Sequence, residues 1–375
     1  MVHINTLLAH TAFVPDSDTA AVIPPVHFAT TYERAQDNSY PSGYVYSREG
    51  NPTRRLLEKT LTGLENGFDC RTFSSGMAAG HAVLMALPAE SHIIIPDDVY
   101  HGFRHLVMQE ARVGRYTFSA VDMTDLTRIS EAVTPNTRLI WVESPSNPQL
   151  KISDIAAISS IARQNEITLA VDGTWTSPIL QRPFDLGADI VLHSVTKYIA
   201  GHSDVLGGAL IFKDQSEYYE RVCENQKLTG AVLDPFSSWL TLRGVRTLAV
   251  RLRTQCETAS RVANFLNQHN RVSRVYFPGL ESHPGFEIAS RQMTSSGAML
   301  SFETAGGEAD SITVAASVKL FRRATSLGGT ESLIEHRASM EGPGTTTPPG
   351  LLRLSIGLEY SDDLIADLEQ ALAEI

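Results

Sequence analysis

One lysine of this sequence follows a short apolar stretch, and its surroundings could support chemistry. Lys197 follows Ile190–His193 and lies beside the small hydroxyl residues Ser194 and Thr196. A lysine that forms a Schiff base needs a partly desolvated amine and nearby groups that hold a phosphate. The alternative is a surface lysine on a turn. The remaining lysines lie in polar or helical surroundings typical of solvated side chains: Lys59, Lys151, Lys213, Lys227 and Lys319.

Two further polar side chains follow apolar runs and could contact an aromatic cofactor. Asp172 follows residues 169–171, and a carboxylate buried at a strand end is costly unless it is paired. A pyridinium nitrogen would pair with it and remain an electron sink. The alternative is a cap on the following turn. Asn147 lies between Pro145 and Pro148, where its amide could donate to a ring hydroxyl oxygen or simply belong to a proline-rich turn.

An anion and an aromatic ring could be held by two other segments. Residues 73–80 are mostly small and precede an apolar helical run, so backbone N–H groups at the start of a helix would favour phosphate there. This motif alone is weak, because many tight turns resemble it. Tyr100 follows an apolar run at 92–95 and could stack on an aromatic cofactor. A half-buried interface tyrosine is the alternative.

These residues require a scaffold that brings strand ends together. Strands are predicted at 92–95, 139–142, 169–171, 190–193 and 205–212. Helices are predicted at 54–64 and at 154–164, the second with Ser153 as its N-cap. This alternation predicts an α/β fold with a mostly parallel sheet covered on both faces, and ligands bind at the carboxyl ends of such strands. The sequence has no GxGxxG motif, which disfavours a dinucleotide-binding dehydrogenase.

The length of 375 residues predicts two domains and an arm. Residues 1–52 are poor in helix signals and are predicted to form an extended arm that contacts a neighbouring subunit. Residues 53–237 are predicted to form the cofactor-binding domain. Residues 238–375 are predicted to form a smaller α+β domain, with a helix at 258–269, a strand at 297–302 and a final helix capped by Ser361.

The composition limits the classes of partner. The net charge of −11 argues against nucleic acid as the main partner, because phosphate backbones need clustered lysine and arginine. Three scattered cysteines form neither a disulfide framework nor a metal site, and free thiols are typical of a reducing compartment. The sequence shows no signal peptide and no run long enough to span a bilayer, so we expect a cytoplasmic protein without membrane contact.

Several segments together identify a family. The run HSVTKYIAGHSDVLGG at 193–208 resembles the lysine signature of the Cys/Met metabolism enzymes, which depend on pyridoxal 5'-phosphate (PLP). Further blocks match in the same order: YSREGNPTRRLLE at 46–58, SSGMAA at 74–79, ESPSNP at 143–148, SLGGTESLIEH at 326–336 and LLRLSIGLE at 351–359. The family includes cystathionine γ-synthases, cystathionine γ- and β-lyases, methionine γ-lyases and O-acylhomoserine sulfhydrylases. The resemblance covers nearly the whole chain and implies the fold type I of PLP-dependent transferases.

The resemblance also implies roles for the cofactor contacts. Lys197 would form the Schiff base and shuttle protons, and Asp172 would pair with the pyridinium nitrogen. Tyr100 would stack on the ring and assist the leaving group. The phosphate would be held by Gly76, Met77, Ser194 and Thr196, and from a neighbouring subunit by Tyr46 and Arg48.

The substrate contacts and the assembly follow from the same resemblance. Arg353, with Ser326 and Asn147, would hold the substrate carboxylate, for which an arginine fork is suited. A homotetramer built from dimers with shared sites is implied, and no metal is expected. The implied reaction is γ-elimination or γ-replacement on a homoserine- or homocysteine-derived amino acid. Three alternatives remain open: a carbon–sulfur β-lyase acting on cysteine conjugates, an O-acylhomoserine sulfhydrylase and a non-catalytic binding protein.

The sequence departs from the family pattern where substrates are distinguished. Val45 and Thr325 stand where enzymes that handle cystathionine often carry acidic residues, so a distal ammonium would lose carboxylate partners. A charged hydrogen bond is worth about 1.5–3 kcal/mol, so this favours a substrate without that ammonium. His101 begins a segment that is about one residue shorter than usual and has no cysteine, unlike methionine γ-lyases. Arg337 stands where proline or a small residue is common.

Overall fold

The structure is a computed structural model that describes residues 3–11, 16, 19–341 and 347–375. Fourteen α-helices are found in this part of the chain: α1 Ile4–Ala9, α2 Pro52–Glu65, α3 Gly76–Met85, α4 His101–Arg112, α5 Leu126–Ala132, α6 Ile155–Gln164, α7 Ser177–Leu180, α8 Glu217–Thr229, α9 Pro235–Val245, α10 Leu248–Gln268, α11 Phe286–Gln292, α12 Glu308–Ser317, α13 Arg337–Glu341 and α14 Ser361–Leu372. None of the described helices is long and apolar enough to cross a membrane.

A mixed seven-stranded sheet forms the larger layer. Its strands are β1 Asp69–Phe73, β2 His92–Pro96, β3 Thr117–Val121, β4 Thr137–Glu143, β5 Thr168–Asp172, β6 Ile190–His193 and β7 Gly208–Phe212, in the order β1-β7-β6-β5-β4-β2-β3. The pairs that involve β7 are antiparallel, and all others are parallel. The predicted mostly parallel α/β sheet is therefore confirmed. Strands such as β6 and β7 are buried at every residue, as helices on both faces of the sheet require.

A second, smaller sheet follows toward the C-terminus. Its strands are β8 Val272–Tyr276, β9 Met299–Thr304, β10 Arg322–Arg323, β11 Leu333–His336 and β12 Leu351–Ser355, in the order β10-β11-β12-β9-β8. Only the β10–β11 pair is parallel among these described strands. The long helix α10 packs its apolar side against this sheet and against α14. The expected α+β character of the C-terminal part is confirmed.

Two local predictions about helix caps need correction. Asp154, not Ser153, is the N-cap of α6, because its carboxylate accepts from the Ala157 amide at 3.0 Å. Ser153 is buried and donates its amide to the Ser144 hydroxyl at 3.1 Å. Ser361 is the first residue of α14 rather than its cap, and its hydroxyl accepts from Arg261. A contact with another helix thus occupies the hydroxyl of Ser361.

Element bounds in the second half of the chain also differ from those predicted. The helix expected at 258–269 is the last part of the longer α10, because Leu248, Leu252 and Ala259 continue its buried side. The strand expected at 297–302 begins at Met299, after Gly297 with its positive φ of 88°. The strand expected at 205–212 begins only at Gly208.

The N-terminal segment is largely extended but contains one helix that the sequence did not reveal, α1. Its remaining described part is held by a few hydrogen bonds. The indole of Trp239 donates to the Pro24 carbonyl at 3.1 Å, and the Thr53 hydroxyl accepts from the His27 amide at 3.0 Å. Phe28 remains 69% exposed, which is unusual for a large apolar side chain. The predicted contact of this segment with a neighbouring subunit stays a prediction.

Candidate active site

A cavity of about 200 Å³ lies between the carboxyl ends of the large sheet and the second sheet. Every site residue predicted from the sequence contributes to its lining except Tyr46 and Arg48. The predicted residues that the structure brings together are Gly76, Met77, Tyr100, Asn147, Asp172, Ser194, Thr196, Lys197, Ser326 and Arg353. The first eight end or follow strands of the large sheet, whose carboxyl ends meet at one edge, whereas Ser326 and Arg353 come from the part of the chain that forms the second sheet.

The amine of Lys197 points into the cavity from the segment after β6. Its Nζ donates to the Ser326 hydroxyl at 2.9 Å. Burial, and then the nearby Arg353 guanidinium, lower the pKa of the Lys197 amine to about 8. The Gly201 amide donates to the Lys197 carbonyl at 2.8 Å and closes the turn that follows it. The amine is thereby available in its neutral, nucleophilic form to a far greater extent than an exposed lysine amine.

Asp172 ends β5 at the floor of the cavity. Within the described part of the chain, Thr174 supplies its hydrogen bond, through an amide at 3.0 Å. Burial raises the pKa of the Asp172 carboxyl, and the Thr174 hydrogen bonds oppose that rise. A cationic nitrogen on a ring in the cavity would stabilise the carboxylate, because it would supply the charge partner that burial demands. This half-buried acid therefore fits the pyridinium nitrogen of PLP.

A buried histidine–carboxylate pair lies behind Asp172. The Nε2 of His193 lies 2.5 Å from a carboxylate oxygen of Glu65, and both side chains are buried. A Cβ atom on Gly173 would lie 2.9 Å from Cε1 of His193. Glycine at this position therefore lets the backbone pass close to the imidazole ring. Sequence reasoning did not single out Glu65, because it lies in a helix 128 residues from its partner.

The N-terminus of α3 forms the anion-binding end of the cavity. Ser75 is its N-cap, and its hydroxyl accepts from the Ala78 amide at 3.0 Å. The first amides of a helix, here those of Gly76 and Met77, have no intrahelical partner and favour an anion. A Cβ atom on Gly76 would lie only 3.0 Å from Cβ of Ser194, so glycine lets the helix end approach Ser194 closely. These donors fit a phosphate.

Thr196 lies at the same end of the cavity. Its hydroxyl accepts from the Gly207 amide at 2.9 Å and donates to the Gly207 carbonyl at 3.2 Å. A phosphate bound here would compete with that carbonyl for the hydroxyl proton.

Glu143 is a buried acid that the sequence analysis named only within the ESPSNP block. It ends β4, and its Oε2 accepts from the backbone amide of Tyr100 at 2.8 Å. Burial, and then the neighbouring Asp172 carboxylate, raise the pKa of Glu143 well above its usual range. Glu143 thus fixes the backbone of Tyr100, whose ring lines the cavity. Its position at a strand end, like that of Asp172, was the available signal.

Arg353 forms the opposite end of the cavity from β12. Its Nη1 donates to Oδ1 of Asn147 at 2.9 Å, and its Nη2 donates to the Ser326 carbonyl at 3.2 Å. Because Oδ1 of Asn147 accepts from Arg353, the amide nitrogen of Asn147 is the atom that can donate to a ligand. A fork of two guanidinium nitrogens fits a carboxylate, as the sequence predicted for this end.

Two further charged residues surround Arg353. Glu335, which pairs with Arg353 in the β11–β12 register, accepts from Nη2 of Arg353 at 2.7 Å through Oε2. The same oxygen accepts from Nη1 of Arg337 at 2.8 Å. Arg337 also lines the cavity. The sequence marked Arg337 only as a departure from the family pattern, and nothing in the local pattern of Glu335 signalled a contact with it.

Tyr46 and Arg48 do not reach this cavity within the chain. Arg48 donates to the Lys227 carbonyl, and its guanidinium carbon lies 5.6 Å from the Tyr46 ring centroid. The Tyr46 side chain is among the exposed large apolar groups. Two lysines expected to be solvated form ion pairs, the half-buried Lys151 with Asp97 at 3.0 Å and the more exposed Lys227 with Glu49 at 2.7 Å. Among the two family departures tied to a distal ammonium, only Thr325 lines the cavity.

Comparison with known proteins gives a consistent result. The family model described as Cys/Met metabolism PLP-dependent enzyme matches residues 5–373. The cystathionine γ-synthase of Mycobacterium tuberculosis is 44% identical over 373 residues, which cover 98% of this chain and 96% of that protein. The cystathionine β-lyase of Coxiella burnetii is 43% identical over 379 residues, which cover 99% and 98%.

Solved structures give the same picture. The crystal structure of metB from Corynebacterium glutamicum superposes with a TM-score of 0.97 at 40% identity, covering 100% of this chain and 98% of that one. Cystathionine γ-synthase from Xanthomonas oryzae pv. oryzae in complex with cystathionine gives a TM-score of 0.96 at 39% identity, with the same coverage.

Proposed function

This chain belongs to the Cys/Met metabolism family of PLP-dependent enzymes, and on that premise we propose that it catalyses γ-elimination or γ-replacement on a γ-substituted amino acid derived from homoserine or homocysteine. The observation that carries the proposal is the position of the Lys197 amine. It lies in one cavity with the Asp172 carboxylate, the first amides of α3 and the Arg353 guanidinium.

The residues fit PLP, which draws negative charge from the substrate carbons into its pyridinium ring when it is bound. Asp172 would hold the positive ring nitrogen, and Asn147 would donate to the ring hydroxyl oxygen. Ser194, Thr196 and the amides of Gly76 and Met77 would hold the phosphate.

The remaining groups would act on the substrate. The Arg353 fork, with Ser326 and Asn147, would fix the α-carboxylate and so aim the α-hydrogen at Lys197. The Lys197 amine, with its lowered pKa, would accept the α-proton at Nζ and later move a proton at Cβ. The Tyr100 ring would stack over the cofactor, and its hydroxyl would assist departure of the γ-substituent. Glu143 would hold Tyr100 in place through the backbone.

Assembly is part of the proposal. We propose a homotetramer built from dimers in which Tyr46 and Arg48 reach the phosphate end of a neighbour's cavity. Both residues lie outside the cavity of their own chain, and the neighbouring part of the N-terminal segment exposes large apolar side chains such as Phe28. The residue ranges 1–52, 53–237 and 238–375 are proposed as arm, PLP-binding domain and C-terminal domain. A cytoplasmic location is proposed from the free thiols of Cys70, Cys223 and Cys256.

A carbon–sulfur β-lyase is the second candidate, because relatives named cystathionine β-lyase match as closely as the γ-synthases do. The Bacillus subtilis protein of that name is 44% identical over 384 residues, which cover 99% of this chain and 97% of that protein. Loss of the sulfur substituent at Cβ would use the same lysine, carboxylate and arginine. Val45 and Thr325 provide no carboxylate for a distal ammonium, which favours substrates other than cystathionine for either reaction.

Product analysis separates these candidates. The PLP-loaded protein is incubated with O-succinylhomoserine and O-acetylhomoserine, each with and without cysteine, and separately with cystathionine, and products are identified by mass spectrometry. Cystathionine formed only with cysteine indicates γ-replacement, and 2-oxobutanoate formed without cysteine indicates γ-elimination. Pyruvate from cystathionine indicates the β-lyase. The Lys197→Ala variant is the control and should form none of these products. If the PLP-loaded wild type is also inactive on every substrate, the proposed function is wrong.

A further inference from the structure

Four charged side chains of alternating sign lie buried in a row behind the carboxylate-binding end of the cavity. Their side chains are exposed by 4% for Arg353, 7% for Glu335, 2% for Arg337 and 11% for Glu341. Arg337 donates through Nη1 to Glu335 at 2.8 Å and through Nη2 to Glu341 at 2.9 Å. Both terminal nitrogens of Arg337 therefore donate to carboxylates of the protein.

The two oxygens of the Glu335 carboxylate differ in their contacts. Its Oε2 accepts from both Arg353, at 2.7 Å, and Arg337, while its Oε1 is buried without a partner among the described residues. Glu335 is fixed opposite Arg353 by the antiparallel register of β11 and β12. A carboxylate held this close to a single guanidinium would pair with it and neutralise it. The substrate carboxylate would then compete with a carboxylate of the protein for the same donors.

We infer that Arg337 is a positioning residue that engages the Glu335 carboxylate and so keeps Arg353 open to the α-carboxylate of the substrate. With Arg337 present, Oε2 of Glu335 accepts from two guanidinium groups instead of from Arg353 alone, so its hold on Arg353 is weaker. Glu341 lies on the far side of Arg337 and fixes that side chain in place.

The test measures recognition of the carboxylate separately from recognition of the amine. L-norleucine and L-norleucinamide differ only in the carboxylate, and neither carries a γ-leaving group. Their dissociation constants with the PLP-loaded enzyme are read from the change in PLP absorbance. Arg337→Gln should weaken norleucine binding about tenfold and change norleucinamide binding less than about twofold, as expected for loss of one charged interaction. Arg337→Lys should restore most of the loss.

A matched control is Arg323→Gln, which removes an exposed arginine from the neighbouring strand β10 and should change neither constant. Glu335→Gln provides a test in the opposite direction, because it removes the competing carboxylate at nearly constant shape. Norleucine should then bind more tightly, with norleucinamide unchanged. This variant also decides the matter if Arg337→Gln fails to fold, as judged by thermal unfolding.

Two results would overturn the inference. One is an equal loss of norleucine and norleucinamide affinity in Arg337→Gln, which would mark a purely structural role. The other is unchanged or weaker norleucine binding in Glu335→Gln. The inference rests on the proposed function only in taking an α-amino acid as ligand. Because norleucine lacks a leaving group, failure of the proposed γ-chemistry would leave these binding results intact, and the two failures are distinguishable.

Discussion

The Lys197 amine and the Ser326 hydroxyl are joined by a hydrogen bond of 2.9 Å. Lys197 follows the last parallel strand of the large sheet, whereas Ser326 lies in the segment before β11 of the second sheet. Ser326 has a φ of 110°, a conformation that L-residues seldom adopt and that is held by the surrounding packing. The reactive amine is thus held between the two sheets, and its properties depend on both.

The first prediction concerns the protonation of Lys197. Its pKa of about 8 lies below the value of 10.5 for a free side chain, because burial and Arg353 disfavour the charged amine. Only the neutral amine attacks a carbonyl, so capture of PLP by the apo-protein should speed up as the pH rises to about 8 and level off above it. The rate is measured from visible absorbance. A midpoint near that of an exposed lysine, or capture by Lys197→Ala, would contradict the assignment.

The second prediction concerns Asp172. Asp172→Asn replaces the buried carboxylate by a neutral amide of the same shape, so the pyridinium nitrogen loses its charge partner. The dissociation constant for PLP should rise about 10- to 100-fold, the value of a charged hydrogen bond, and turnover should fall as well. PLP release is measured by equilibrium dialysis. Asp185→Asn is the control, because Asp185 is half-exposed and pairs with Arg182 away from the cavity. Equal PLP affinity in both variants would exclude the assigned role.

The third prediction concerns Glu143. Burial and Asp172 raise the pKa of this carboxyl and so favour its neutral form, and glutamine, which is neutral and keeps an acceptor oxygen, should replace it with little effect. Glu143→Leu removes the acceptor of the Tyr100 amide and should lower the free energy of unfolding by about 1–3 kcal/mol. Turnover should fall in the same variant, because Tyr100 loses its anchor. Denaturant unfolding and steady-state kinetics measure the two effects. Equal behaviour of the two variants would show that this hydrogen bond is unimportant.

The fourth prediction concerns the turn after Lys197. Gly201 has a φ of 71°, and a Cβ atom there would lie 2.0 Å from Nη1 of Arg251. That same nitrogen donates to the Tyr198 carbonyl at 2.9 Å. Gly201→Ala should therefore displace Arg251 and loosen the segment that carries Lys197.

The control for this effect is Gly114→Ala, since Gly114 has a similar φ of 76° but nothing within 4 Å of an added Cβ. In Gly114→Ala the free energy of unfolding should fall only by the cost of a left-handed alanine, about 1–2 kcal/mol. In Gly201→Ala it should fall by at least about 2 kcal/mol more, because the added methyl group overpacks the site. Both are measured by denaturant unfolding, and equal losses would show that the contact with Arg251 does not matter.

Much of the fold and of the cofactor contacts could be predicted from contiguous segments. The apolar runs before Asp172 and Lys197 mark buried parallel strands, and polar residues directly after them lie at the ligand-binding edge. The blocks around Gly76, Lys197 and Arg353 resemble the family strongly enough to assign the cofactor. These signals are local, so they survive without knowledge of the packing.

Helix ends were less predictable. Ser153 and Asp154 are both good capping residues, and the structure shows that the Asp154 carboxylate accepts from the Ala157 amide. Ser361 was misplaced because its hydroxyl is taken by Arg261 from another helix. There a contact distant in sequence overrides a local preference.

The sequence by itself determined the α/β fold, the strand ends that carry Lys197 and Asp172, and the use of PLP, because each depends on short patterns of adjacent residues. Only the tertiary structure showed that Glu143 holds the backbone of Tyr100 and that Glu335 is shared between Arg353 and Arg337. These contacts depend on the register of strands and on which charges burial forces together. A buried charge must find a partner wherever the fold places one, and the partner need not be near in the sequence.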